Sequence, residues 1–160
     1  MTKEKFPTTQ AIRVLKAQNA AFSLRFYRYE EKGGTAVASK ELNVSECSVI
    51  KTLVMEDEKG HAFLILMHGD KKVSTKALAR SLEVKTVKPC EPDKAHNQTG
   101  YFVGGISPFG TKRKLNVYIE ATIMDLEKIY INAGKRGLLA EMKPGDLFNI
   151  LKPLPVKVAI

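Results

Sequence analysis

The feature that most constrains the fold is a pair of apolar, strand-like runs joined by a short polar turn. Val49 to Met55 is rich in β-branched side chains, Asp57-Glu58-Lys59-Gly60 has turn composition, and Ala62 to Met67 is apolar again. Two such runs around a glycine-containing turn predict an antiparallel hairpin. A β-sheet is therefore the expected frame of the molecule.

Helical and strand patterns alternate along the rest of the chain. Thr8 or Thr9 is expected to cap a helix over 9–19, Thr35 a helix to Leu42, and Ser74 or Thr75 a helix to Leu82, while Pro144 opens a closing helix. Further strands are predicted at 21–29, 84–87, 115–120, 129–132 and 138–142, with one helical turn within 89–98 and a short helix around 125–128. We predict an α+β fold in a single domain over residues 1–160, a mixed sheet or partial barrel with peripheral helices.

Lys51 interrupts the first apolar run of the hairpin. Burying an ammonium group is costly, so two interpretations remain open. The side chain either extends to solvent at the edge of the sheet, which is the more frequent case, or points into a cavity that receives an anion or a polarised carbonyl group.

The stretch from Thr99 to Gly110 predicts a strand that leads into a binding loop. Gly104 and Gly105 lack a Cβ, so a ligand can approach their backbone, and Pro108 restricts the loop. A tight turn in a β-rich domain explains the same pattern, and on the pattern alone it is favoured. In the functional interpretation, three amides converge on one oxygen and stabilise an oxyanion. They belong to Gly105, Ile106 and Ser107.

Several other functional motifs are excluded. The run from Gly105 to Lys112 has the spacing of a phosphate-binding P-loop, but Thr111 and Lys112 stand in the wrong order. Ser107 lacks the second glycine of a nucleophile elbow and is not expected to be a nucleophile. Cys47 and Cys90 are far apart, and the three histidines lack metal-binding spacing, so neither a metal nor another cofactor is expected. Both thiols are expected to be half-buried apolar groups in a reducing compartment.

The charge balance suggests a polyanionic partner. Lys and Arg number 26 against 17 Asp and Glu, which gives a net charge of +9. Nucleic acid is the commonest partner of such a protein, although scattered solvating lysines explain the excess equally well.

The start, Met1 to Pro7, has no apolar segment after its charges, and no apolar run reaches membrane-spanning length. The expected location is the cytoplasm, without a membrane partner.

Three motifs in order resemble the YbaK/EbsC family of aminoacyl-tRNA deacylases. They are Val49 to Leu53, Thr99 to Gly110, and Ile129 to Gly137. The resemblance spans nearly the whole chain and implies a fold like the editing domain of bacterial prolyl-tRNA synthetase. The implied partner is mischarged tRNA(Pro), with prolyl-tRNA synthetase as an optional second partner.

The resemblance also implies the site and its chemistry. The implied substrate is Cys-tRNA(Pro) or Cys-tRNA(Cys). The thiol of the substrate's own cysteine would attack the ester carbonyl, and the amino acid would leave as a thiolactone. The protein would then supply proximity and electrostatic stabilisation. Lys51 matches the essential lysine, and the family's GxxxP loop corresponds to Gly104, Gly105, Ile106, Ser107 and Pro108. The implied substrate-binding residues are Tyr27, Thr52, Asn132, Gly134, Lys135 and Arg136. A basic surface of Lys112, Arg113 and Lys114, extended by Lys135 and Arg136, is expected to contact tRNA phosphates.

Two positions depart from the YbaK pattern. Gly34 stands where a phenylalanine lines the pocket of YbaK, and Asn132 replaces a serine. An EbsC-like deacylase with another aminoacyl substrate, a non-catalytic tRNA-binding protein of the same fold, and a hydrolase of small esters or thioesters therefore remain as alternatives.

Overall fold

The computed structural model describes residues 8–160, and the expectations for Met1 to Pro7 lie outside that range. Five α-helices are seen in it: α1 (Gln10–Ala17), α2 (Gly34–Leu42), α3 (Thr75–Leu82), α4 (Pro92–Thr99) and α5 (Pro144–Leu151). The eight strands are β1 (Phe22–Phe26), β2 (Val49–Asp57), β3 (Ala62–His68), β4 (Val87–Pro89), β5 (Val117–Glu120), β6 (Ile129–Lys135), β7 (Leu138–Met142) and β8 (Leu154–Val156). None of the helices within this range is long and apolar enough to cross a membrane.

All eight strands belong to one mixed sheet. The strand order is β1-β7-β6-β2-β3-β5-β8, and β4 pairs separately with β2. The predicted hairpin is confirmed, with β2 antiparallel to β3 from Ile50↔His68 to Glu56↔Ala62. The predicted α+β fold with a mixed sheet and peripheral helices is therefore confirmed.

The main core lies between the sheet and the helices α1 and α5. It contains Leu15, Ile131, Phe109 and Leu147, each with no measurable exposure. The Thr9 hydroxyl caps α1 by accepting the Ile12 N–H, and it ties the helix to the sheet by donating to the Ala133 carbonyl oxygen of β6 at 2.5 Å. A second core between β3 and α3 contains Ile65, Met67 and Leu78. These two cores hold the central strands rigidly in place.

A cleft opens where β2 separates from β6. The two strands run parallel but pair only at Val49↔Tyr130 and Ile50↔Ile131. Further along β2, the next partner on this side is β4, which begins to pair at Met55. Within residues 8–160, no strand is paired with 51–54 on this side of β2. Ligands of α/β folds often bind in such a crevice beyond the ends of parallel strands.

Several element predictions need correction. The predicted strand after Thr99 is wrong: residues 100–116 form turns and bends, and Thr99 ends α4, which is longer than the one turn expected. Thr35 does not cap α2 but lies inside it. Its hydroxyl donates a hydrogen bond to Glu46 Oε2 at 2.8 Å. The strand expected at 84–87 begins later, as β4 at Val87–Pro89. The short helix expected around 125–128 is a 3-10 helix at Ala121–Asp125. The sequence patterns did not predict β8.

Candidate active site

The cleft between β2 and β6 contains a cavity of about 590 Å³. Side chains from β2, α2, β6 and the loop after α4 line it. Seven of the residues that the sequence predicted for the site reach this cavity: Tyr27, Lys51, Thr52, Gly104, Ile106, Asn132 and Arg136. The cavity thus brings together the three motifs that lie far apart in the sequence.

Lys51 of β2 is one of the residues that line the cavity. Nζ donates a hydrogen bond to the Lys71 carbonyl oxygen. Burial lowers the pKa of Lys51, and the carboxylates of Glu46 and Asp70 oppose that shift. Lys51 lines the cavity as a half-buried residue, and its ammonium group bonds to Lys71, which does not line the cavity, so each of the two interpretations left open by the sequence describes part of what is seen.

Thr52 provides a hydroxyl that the protein does not use. Its Oγ1 is buried and is the one side-chain polar atom within residues 8–160 that is both buried and without a hydrogen-bond partner. An unpaired buried hydroxyl costs free energy, about 1–3 kcal/mol. Because Thr52 lines the cavity on the unpaired stretch of β2, a bound ligand is the natural partner of this hydroxyl.

The opposite wall is the loop after α4, and its carbonyl oxygens already have hydrogen-bond donors within the protein. Four successive carbonyl oxygens accept hydrogen bonds from the protein. Tyr101 O accepts from His96 Nδ1 at 3.1 Å, and Phe102 O accepts from Gly105 N at 2.8 Å. Val103 O accepts from Arg136 Nε at 2.8 Å, and Gly104 O accepts from Asn132 Nδ2 at 3.2 Å. We call residues 101–105 the bonded loop.

The two glycines of this loop have different roles. Gly104 lines the cavity with φ +91°, and a Cβ there would lie 2.7 Å from the Tyr29 hydroxyl. Gly105 is buried, and a Cβ there would lie 2.9 Å from the Arg136 backbone nitrogen. The expectation that a ligand approaches Gly105 is therefore wrong, because the turn after β6 fills that space. Its amide also donates to Phe102 O, which removes it from the expected oxyanion site.

The remaining residues of the GxxxP motif, which follow the bonded loop, connect it to the core. Ile106 lines the cavity and packs against two core clusters. Ser107 is fully buried, and its Oγ accepts the Phe109 N–H at 3.2 Å, in agreement with the prediction that it is not a nucleophile. Pro108 is buried beside it.

Asn132 ties the bonded loop to the turn between β6 and β7. Its Nδ2 donates to the Lys135 carbonyl as well as to Gly104 O, both at 3.2 Å, and its Oδ1 accepts the Gly134 N–H at 2.6 Å. Every polar atom of this side chain is thus engaged by the backbone. Gly134 packs against Tyr101, and Lys135 is exposed, so neither belongs to the cavity wall.

Tyr29 and Cys90 also line the cavity, and sequence reasoning did not assign them to the site. The Arg136 guanidinium lies over the Tyr29 ring, with its Cζ 5.1 Å from the ring centroid, and the electrons of the ring face attract its positive charge. Tyr29 follows Tyr27 at strand spacing, which was a usable signal, whereas nothing in the sequence marked Cys90. Burial, with the Glu56 carboxylate nearby, raises the pKa of Cys90 to about 11.

Cys47 and the basic run lie outside the cavity. Cys47 is half-buried beside His68, whose Nδ1 donates to the Cys47 carbonyl at 2.8 Å. Burial raises the pKa of the Cys47 thiol. Lys112, Arg113 and Lys114 are exposed on the segment after the loop, anchored by backbone bonds to Thr99 and Gln98.

The cavity is equipped for binding and charge stabilisation rather than for attack by a side chain. It offers the ammonium groups of Lys32 and Lys51, the guanidinium of Arg136 and an unpaired hydroxyl, whereas its thiol is protonated near neutral pH. Among the described residues, no histidine lines it, and the carboxylate in its walls is that of Glu31.

Comparison with known proteins identifies the family. The model of the aminoacyl-tRNA editing domain matches residues 30–150, so the chain belongs to this family. The candidate Cys-tRNA(Pro)/Cys-tRNA(Cys) deacylase EbsC of Enterococcus faecalis is 25% identical over 143 residues, which cover 89% of this chain and 87% of EbsC. The resemblance to the YbaK/EbsC deacylases is confirmed, and with it the class of activity, aminoacyl-tRNA editing.

More distant relatives agree with this class. The proline–tRNA ligase of Brachyspira hyodysenteriae is 23% identical over 96 residues, which cover 60% of this chain and 17% of the ligase. The crystal structure of a candidate trans-editing enzyme for prolyl-tRNA synthetase superposes with a TM-score of 0.84 at 18% identity, covering 97% of this chain and 99% of that one. At that identity the superposition establishes the fold.

Proposed function

We propose that this protein is a trans-editing deacylase that clears Cys-tRNA(Pro), or Cys-tRNA(Cys), through attack by the substrate's own thiol. The observation that carries the proposal is a cavity with charged and hydrogen-bonding groups whose described thiol, that of Cys90, is kept protonated near neutral pH by burial. In the reaction, the substrate sulfur bonds to the ester carbonyl carbon and the bond to the ribose oxygen breaks. The thiol proton ends on the ribose hydroxyl, and the amino acid leaves as a thiolactone.

Lys51 and Thr52 hold the substrate in this proposal. The ammonium of Lys51 contacts the terminal adenosine or its phosphate, and the Thr52 hydroxyl gains its missing partner from the aminoacyl ester. The bonded loop forms the facing wall and keeps thiol and carbonyl in contact, which supplies the proximity that an intramolecular attack requires. Similarity to EbsC supports cysteine as the aminoacyl group.

A second candidate is a deacylase of the same class for a larger aminoacyl group. The observation that favours it is Gly34, which lines the cavity and whose added Cβ would meet nothing within 4 Å. The space that a phenylalanine fills in the YbaK pattern is therefore open here. A Gly34→Phe variant would fill that space and should retain activity on cysteine while losing any larger substrate. Because φ at Gly34 is +60°, any side chain there strains the backbone, and Gly34→Ala is the control that carries the strain without the ring.

A deacylation panel with Cys-, Ser-, Ala- and Pro-charged tRNA(Pro) tests the proposal. Cys-tRNA(Pro) should be cleared much faster than Ser-tRNA(Pro), because an alcohol is a far weaker nucleophile than a partly ionised thiol. Mass spectrometry should detect thiolactone as the first product. Equal rates for cysteine and alanine would show that water or the ribose hydroxyl attacks, and no turnover of any substrate would favour the non-catalytic tRNA-binding protein.

A further inference from the structure

A second cavity of about 390 Å³ adjoins the first and shares Val103 and Arg136 with it. Phe102 lines this second cavity together with residues of α4. The Phe102 side chain is 70% exposed, and its neighbour Val103 is 48% exposed. Large apolar side chains that are this exposed bury little of their surface, and at the mouth of a cleft they are typical of a binding surface.

The Phe102 ring is held in a fixed orientation. It stacks on the His96 ring with centroids 4.3 Å apart and planes 17° from parallel. The His96 ring is itself fixed because its Nδ1 donates to the Tyr101 carbonyl. The bonded loop holds the Phe102 backbone on both sides. One face of the phenylalanine is thus occupied by the imidazole, and the high exposure of the side chain leaves the other face for a ligand.

The polar groups around Phe102 are suited to a nucleobase rather than to a phosphate. Asp93 and Asn97 of α4 line the same cavity. A carboxylate repels phosphate but accepts a hydrogen bond from an exocyclic amino group, and cytosine carries one at N4. An asparagine amide pairs with the ring edge of any base, because it offers both a donor and an acceptor.

Arg136 lines both cavities, and its charge is not neutralised by an ion pair among residues 8–160. Its Nε is bonded to Val103 O. The guanidinium therefore faces the boundary at which a phosphate would lie if one nucleotide occupied each cavity. Successive nucleotides of a single strand place a phosphate between neighbouring bases, so the order base, phosphate, base matches the order of the two cavities and Arg136.

We propose that the second cavity is a nucleobase subsite in which the penultimate cytosine of the tRNA 3′ end stacks on Phe102. The inference rests on the proposed function, since it assumes that the terminal adenosine and its ester occupy the first cavity. The phosphate between the two nucleotides binds Arg136. Stacking on an aromatic side chain contributes about 1–3 kcal/mol per base, which corresponds to roughly 5- to 150-fold in affinity.

The chain contains no tryptophan, which makes a direct optical test available. Phe102→Trp keeps the aromatic platform and introduces a single tryptophan, whose emission can be excited apart from that of the tyrosines. This variant is titrated with an RNA microhelix that ends in CCA. We expect quenching as the base stacks on the indole. A microhelix with an abasic penultimate nucleotide should bind roughly 5-fold or more weakly and quench less. The matched control is Phe148→Trp on α5, which lines neither cavity and should not respond to either RNA.

Kinetics with the aminoacylated tRNA provide the second readout. Phe102→Ala should raise KM about tenfold with kcat nearly unchanged, because the contact contributes binding and takes no part in the chemistry. Phe102→Tyr should behave as the parent protein does.

Several results would overturn the proposal. Equal quenching by the CCA and abasic microhelices would show that no base stacks at Phe102. Quenching by purified prolyl-tRNA synthetase but not by RNA would assign the patch to a protein partner. If the parent protein deacylates its substrate and Phe102→Ala leaves KM unchanged, the subsite is refuted while the deacylase function stands. If the parent protein has no deacylase activity, the proposed function fails first, and the microhelix titration still decides the RNA contact.

Discussion

The two walls of the first cavity are built in opposite ways. On the bonded loop, four successive carbonyl oxygens accept hydrogen bonds from the protein itself. On the β2 wall, the Thr52 hydroxyl has no partner, and the Lys51 ammonium is partly desolvated. The hydrogen bonds of the bonded loop therefore fix its backbone conformation, whereas β2 has polar groups without a full set of partners within the protein. Substitutions on the β2 wall should change chemistry with the fold intact, whereas those on the loop wall should change both.

The largest effect is expected for Lys51→Ala. Loss of the ammonium removes the charge that faces the ester and terminal adenosine, and kcat/KM should fall by about 100-fold or more. Thermal melting should fall only slightly, because burial lowers the pKa of this lysine and so disfavours its charged form in the fold, while the variant loses one hydrogen bond to the Lys71 carbonyl. Lys51→Met, which keeps the side-chain stem, separates packing from charge. Lys59→Ala in the turn after β2 is the matched control, and parent-level activity of Lys51→Ala would remove Lys51 from the site.

Gly104→Val should have the next largest effect, and it should act on the loop wall. The added side chain meets Tyr29 at 2.7 Å and Arg136 Nε at 3.1 Å with φ at +91°, so we expect a loss of stability of about 1–2 kcal/mol together with a loss of activity.

Gly60→Val is the control for that strain. Gly60 has φ +78°, and its nearest contact is Lys94 Nζ at 3.4 Å, outside the cavity. This variant should lose comparable stability and keep its activity. If the two variants melt alike and deacylate alike, the backbone at Gly104 does not border the substrate.

Asn132→Asp should weaken the link between the loop and the β6–β7 turn. The carboxylate keeps the acceptor for the Gly134 N–H but loses the donors to Gly104 O and Lys135 O. We expect a loss of stability of about 1–3 kcal/mol and a higher KM, since the loop wall would no longer be held in place. An unchanged melting temperature would show that the other three loop bonds are sufficient.

A smaller effect is expected on replacing Lys112, Arg113 and Lys114 with glutamine. These exposed cations lie outside the cavity, so kcat should be unchanged while tRNA binding loses roughly one unit of log-log salt slope for each phosphate contact removed. The matched control is the triple glutamine variant at Lys76, Arg80 and Lys85 on the α3 side. Identical salt slopes for the two triple variants would assign the tRNA surface elsewhere.

The smallest effect is expected for the cysteines. Cys90→Ala and Cys47→Ala should both deacylate Cys-tRNA(Pro) at the parent rate, because burial raises the pKa of each thiol and neither is a ready nucleophile near neutral pH. A large loss of turnover in Cys90→Ala, with melting unchanged, would assign the attack to the protein and contradict the proposed mechanism.

Local patterns predicted the elements that are set by neighbouring residues. The β2–β3 hairpin follows from two apolar runs around a turn, and the caps at Thr9 and Ser74 follow from hydroxyl groups that precede helical patterns. The stretch after Thr99 misled the prediction because its apolar residues look like a strand. Its carbonyl groups are in fact bonded by side chains and a turn instead of by a neighbouring strand.

Motif order within the sequence was enough to identify the family, the α+β class and seven of the residues that line the first cavity, because those motifs retain the residue types of the family. What the sequence could not determine is how the walls meet. The parallel pairing of β2 with β6 joins residues about 80 positions apart and stops after two pairs, which opens the cleft. The different roles of Gly104 and Gly105, the unpaired Thr52 hydroxyl and the second cavity beside Phe102 all depend on contacts between distant segments. Such contacts are selected by the packing of the whole chain, and only the tertiary structure decided them.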